Sequence, residues 1–148
     1  MKESLFLSLG VYSEHKSEKA RAILDTLWDI CEYRTVLIEG PEQLTENLVD
    51  IIFLADIDTI QEALNAFSKI KRRTKRYIPT ILVANQDLDV IESFIALPLS
   101  AGIQDVITFT DITNKNNAQG IRRSILRAYY RSTYIDGIFN TTNNISHN

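Results

Sequence analysis

The chain has 148 residues, a formal net charge of -3 at pH 7, 45% hydrophobic residues and 24% charged ones. A domain of this length buries about two thirds of its unfolded surface, so neither a disulfide nor a metal is needed for folding. The single cysteine, Cys31, excludes an internal disulfide, the net charge gives no global case for nucleic acid, and no apolar run approaches the ~20 residues of a membrane span.

The N-terminal "MKESLFLSLGVYSEH" lacks the long apolar region and small-residue cleavage site of a signal peptide, and "SLFLSLGV" (4–11) reads as a buried first strand. The chain is therefore expected to be cytoplasmic. "SEKARAILDTLWDICE" (17–32) sets Ala20, Ile23, Leu24, Leu27 and Cys31 at helical spacing behind Ser17 as N-cap. "RTVLIEG" (34–40) predicts a second strand, and "PEQLTEN" (41–47) a short second helix with Pro at its first position. "VDIIFLAD" (49–56) predicts a third strand. "TIQEALNAFSKIKR" (59–72) predicts a helix with Ile60, Ala63, Leu64, Phe67 and Ile70 on one face, capped through Thr59 and Glu62 or Asp58 and Gln61. "PTILVAN" (79–85) is a fourth strand, "DLDVIESFIALPLSAG" (87–102) a helix ended near Pro98, and "IQDVITF" (103–109) a fifth strand. "NAQGIRRSILRAYYRS" (117–132) is a last helix with Ile121, Ile125 and Tyr129 on one stripe. The polar, aperiodic end (135–148) is expected to be a disordered tail or linker after a domain spanning 1–134.

Short apolar strands alternating with helices imply parallel pairing with helices on both faces of the sheet. No Walker or G-x-G-x-x-G pattern is present, and the two histidines and one cysteine have no spacing suited to zinc. The run "KIKRRTKR" (69–76) holds six basic residues in eight, and "IRRSILRAYYR" (121–131) holds four arginines. The first run reads as a solvated helix end and loop, or as a surface for an acidic partner or phosphate backbone. Without stacking aromatics it gives no case for sequence-specific nucleic-acid recognition. On the last helix Arg123, Arg127, Tyr130 and Arg131 form a mixed aromatic and basic surface, the composition favoured where proteins pair.

Three segments carry a resemblance to the receiver domain of bacterial response regulators, the CheY-like fold. "VDIIFLADID" resembles the third strand that ends in a phospho-accepting Asp. "FSKIKRRTKRYIPTILVAN" resembles the passage into strand four, and "LPLSAGIQDVITFTD" the run across helix four and strand five. The resemblance implies a doubly wound α/β fold, a five-stranded parallel sheet of order 2-1-3-4-5. It also implies a pocket whose chemical groups are missing here. The acid pair after strand one falls on the stretch from Ser8 to Val11, with Leu9 and Gly10 in its place. The Thr or Ser of strand four falls on Ala84, the Lys of strand five on Phe109, and the switch aromatic on Val106. Counting along strand three puts Ala55 at the acceptor position, and a slip by one residue puts Asp56 there. The two registers exclude each other locally, since a one-residue slip reverses the face a side chain meets.

Phosphoryl transfer depends on placed positive charge. The expected function is therefore a pseudo-receiver: a non-enzymatic signalling module without cofactor or metal, acting through protein contacts. The alternative is a divergent receiver accepting phosphate at Asp56, with Mg²⁺ held by Glu14 or Asp58. A third reading is a small-ligand or nucleotide binder at the strand C-terminal edge. By the resemblance, the partner is a protein or a fused output domain, such as a histidine kinase, and a homodimer would form through helix four, strand five and the last helix; "YIDGIFNTTNNIS" (134–146) resembles the opening of a PAS domain, which makes a PAS-containing protein a further expected partner.

Overall fold

The computed structural model describes residues 7–15, 17–31, 34–46, 48–85 and 102–131, with only the backbone of residues 30 and 31. Five strands are present: β1 (Ser8–Tyr12), β2 (Arg34–Ile38), β3 (Ile51–Ile57), β4 (Thr80–Ala84) and β5 (Ile103–Thr108). They pair in parallel in the order β2-β1-β3-β4-β5. The central position of β3 explains its unbroken apolar run, because both its faces are covered. Asp50 joins the starts of β1 and β3: its carboxylate accepts the Ser8 backbone N–H at 2.8 Å.

Helix α1 (Glu18–Cys31) begins where Ser17 Oγ accepts the Ala20 N–H at 3.1 Å. Its residues Ala20, Ile23, Leu24 and Leu27 are buried against one face of the sheet. The last helix, residues 118–131, buries Ile121, Ile125 and Ala128 in the same layer. Helix α2 (Ile60–Thr74) covers the opposite face with Ala63, Ala66, Phe67 and Ile70. Thr59 caps it, its hydroxyl accepting the Glu62 N–H at 3.2 Å, so the first of the two expected caps is the one formed. In place of a second full helix, Pro41–Leu44 makes a single 3₁₀ turn beside α2. A short helix α3 (Phe109–Ile112) follows β5, and the last helix is labelled α4 here. The expected helix at 87–102 falls almost wholly outside the described residues, as does the 135–148 tail. No helix among the described residues is long and apolar enough to cross a membrane.

Candidate functional site at the ends of β1 and β3

Strand β3 is irregular where the sequence was ambiguous. Leu54 pairs with Leu82, but the next pair is Ile57 with Ala84, so β3 spends three residues where β4 spends two. The extra residue resets the alternation of faces. Ile51, Phe53 and Ala55 lie in the α1/α4 layer, whereas Ile52, Leu54 and Ile57 lie in the α2 layer. Without the bulge Ile57 would share the face of Ala55. Asp56 takes the bend with φ 62, a left-handed conformation that Asp tolerates better than most side chains. Ala55 and Asp56 both fall within the bulge, and both border the cavity at the strand end.

Strand β1 ends at Tyr12, paired with Leu54, and the loop that follows carries Ser13, Glu14 and His15 to the Asp56 bulge. Ser13 Oγ donates to Asp56 Oδ2 at 3.4 Å and accepts the His15 backbone N–H at 3.4 Å. The buried Tyr12 donates its hydroxyl to Glu14 Oε1 at 2.8 Å. Lys69, from α2, reaches both oxygens of the same carboxylate at 3.2 and 3.3 Å. The Tyr12 hydrogen bond, with Lys69 after it, holds the Glu14 carboxyl below its ordinary range against an opposing effect of partial burial. Burial pushes the Tyr12 phenol well up, and the Glu14 carboxylate adds to the shift. These side chains border a cavity of about 160 Å³, with Asp56, Glu62 and Asn65 among its other walls.

Several expected pocket positions lie elsewhere. Leu9 and Gly10 are interior to β1, not at its C-terminal end. Gly10 is small for packing reasons, since a Cβ there would come within 3.3 Å of Ile38 Cγ1 and 3.4 Å of Val49 Cγ1. The loop position assigned to the acid pair belongs to Ser13 and Glu14. Ala55 borders the cavity but is buried in the α1/α4 core. Ala84 is fully buried at the end of β4, between Ile57 and Thr108. Phe109 packs against the α1/α4 layer, with Lys19 Nζ 5.5 Å from its ring centroid, a cation–π arrangement that neutralises no acid. Val106 is half-buried on the α2 side of β5. Asp58 takes a hydrogen bond from Asn85 Nδ2 at 3.0 Å.

Sequence reading missed Ser13, Tyr12 and Lys69 as members of this cluster. A signal for Lys69 was available: Glu62, Asn65 and Lys69 stand three and then four residues apart and so share a helix face. Ser13 carries no such signal: β1 runs one residue past its expected end at Val11, to Tyr12, and nothing in the sequence marks that step.

On α4 the exposed Arg123, Arg127, Tyr130 and Arg131 share the side opposite the buried Ile121 and Ile125. Tyr130 is 59% exposed and meets Tyr129 edge-on at 5.7 Å between ring centroids. Arg131 Nη1 donates to the Gln104 carbonyl at 3.4 Å, which ties the end of this surface to β5.

A five-stranded parallel sheet of order 2-1-3-4-5, helices on both faces, and a loop cluster at the C-terminal ends of its first and third strands are together decisive for the fold. The chain has the receiver fold. A chain of the complex between the P1 domain of CheA3 and CheY6 from R. sphaeroides superposes with a TM-score of 0.59 at 11% identity, covering 82% of this chain and 98% of that one. A response regulator from Thermotoga maritima gives 0.54 at 18%, covering 82% and 98%. The pilus assembly protein CpaE from Caulobacter crescentus CB15 gives 0.53 at 11%, covering 80% and 96%. No protein-family model matches the chain, and no curated protein matches it significantly.

The receiver fold implies a Mg²⁺ site beside the acceptor, and the residues present do not fit one. A hard divalent cation takes carboxylate and water oxygens. Here Glu14 already receives a phenol and an ammonium, and no group of three or more His, Cys, Asp or Glu among the described residues is placed to hold a metal ion.

Proposed function

We propose that this receiver-fold chain is a pseudo-receiver, a signalling module that works without phosphorylation, cofactor or catalysis and acts through protein contacts. One observation carries the reading: Glu14, the acid that the β1 loop brings to the Asp56 cavity, is closed by Tyr12 and Lys69. Phosphoryl transfer to Asp56 depends on placed positive charge, and Lys69, the lysine bordering the same cavity, is already paired with Glu14. The contact surface in this reading is α4, through Arg123, Arg127, Tyr130 and Arg131. CheY6 was solved with a protein partner, the P1 domain of CheA3; for this chain the partner is likewise a protein or a fused output domain.

Incubation with beryllofluoride or acetyl phosphate plus Mg²⁺, followed by intact mass and ¹⁹F spectroscopy, tests the proposal. No adduct is expected, and a stoichiometric adduct mapped to Asp56 overturns it. The half-exposed carboxylate of Asp56 at the strand end favours a second reading, a divergent phospho-acceptor. That reading requires the adduct in the parent chain and its loss in Asp56→Asn with the fold intact.

A further inference from the structure

A second surface lies away from α4. Because the element after β2 is only a 3₁₀ turn, a groove of about 360 Å³ opens between it and α2, lined by Pro41, Glu42, Lys69, Arg72 and Arg73. The three cations occur at i, i+3 and i+4 and so project together over the groove. Lys71, Arg72, Arg73, Lys75 and Arg76 are all exposed, and none forms an ion pair with an acid among the described residues. A helix C-terminus favours positive charge, which accounts for cations in its last turn. It does not require this many like charges side by side in a chain whose net charge is -3.

We propose that this groove docks an acidic peptide segment of a partner protein. Outside the groove lining, Leu48 is 70% exposed, and the neighbouring Val49 carbonyl accepts from Arg76 Nη2 at 3.4 Å, which places this leucine beside the basic stretch that follows α2. Nucleic acid fits less well, because the one aromatic in this stretch, Tyr77, is half-buried and donates its hydroxyl to the Gly102 carbonyl at 2.6 Å. A lipid surface would gain little from one leucine. Lys69 links the groove to the β1–β3 cluster, since it is shared between the groove wall and Glu14.

The test is fluorescence anisotropy with a labelled peptide alternating Glu and Leu. A Lys/Leu peptide, single- and double-stranded oligonucleotides and phosphatidylserine vesicles serve as competing probes. The acidic peptide is expected to bind, to weaken with added salt, and to lose roughly tenfold or more in affinity in Arg72→Glu/Arg73→Glu. The milder Arg72→Gln/Arg73→Gln pair should also weaken it at an unchanged melting temperature. Arg123→Glu/Arg127→Glu, on the α4 surface, should leave it unchanged. Absence of peptide binding, affinity indifferent to both groove variants, or tighter binding of oligonucleotide or vesicles overturns the proposal.

Discussion

Asp56 shows how one backbone angle can matter more than the identity of a side chain. Its φ of 62 is what allows β3 to continue to Ile57 after changing faces. A β-branched residue in this region suffers a clash that Asp avoids in part, a penalty on the order of 1–2 kcal/mol. Asp56→Val is therefore expected to lower the unfolding free energy by about that amount. Asp56→Gly should cost little, because relief of strain offsets the loss of the long Ser13 hydrogen bond. Urea denaturation of the pair checks this; equal losses in both would show that the carboxylate, not the backbone, matters here. The sequence could not announce the bulge, because the stretch Ala55-Asp56-Ile57 contains no glycine to mark a left-handed turn.

Helix α2 was the most legible element. Of its expected apolar face, Ala63, Phe67 and Ile70 are buried and Ile60 packs partly against them, whereas Leu64 is half-buried and Ala66 takes a core place that the spacing does not assign; its start follows from Thr59 and Glu62. The cap is an exposed side chain–backbone contact, so its removal can be read without core damage. Thr59→Ala is expected to lower stability by about 1 kcal/mol. The denaturation midpoint should shift with the slope unchanged, and a variant as stable as the parent would show that α2 is held by packing alone. The second helix was legible only in part. Pro41 correctly marked a helical start, but the segment has too few apolar residues to sustain more than a turn, and Leu44 is its sole buried anchor. Strand ends were the least legible, because β1 is apolar along its length and nothing in its composition distinguishes Val11 from Tyr12 as the last paired residue.

Across the molecule, Glu14 and Lys69 are 55 residues apart in sequence and meet only because α2 packs over the β1–β3 end. Their contact should show in the pH dependence of stability. The folded state lowers the Glu14 pKa, so the unfolded chain takes up this proton more readily. Its contribution is therefore present above the unfolded value of about 4.3 and is lost as pH falls through the lower folded value. Glu14→Gln is expected to flatten the acid limb of a stability–pH profile measured by denaturant midpoint. A profile with the parent's slope would show that the pair is too well solvated to matter. Tyr12 works in the other direction: its phenol is raised in the folded state, so stability falls as pH rises beyond the ordinary phenol value of about 10.

Local patterning was enough to place the five strands, the faces that α1, α2 and α4 bury, and the exposure of Arg123, Arg127, Tyr130 and Arg131. Those features depend on spacing within one element, and spacing is written in the chain. The strand order came through the resemblance of three segments to receivers, since periodicity carries no information about which strands are neighbours. Which side chains meet at the strand ends was decided by packing. A single bulge in β3 and a β1 that ends at Tyr12 moved the candidate site from Leu9 and Gly10 to Ser13, Glu14, Asp56 and Lys69. Positions in a β-sheet change face with every residue, so an error of one residue redraws a site while leaving the fold intact.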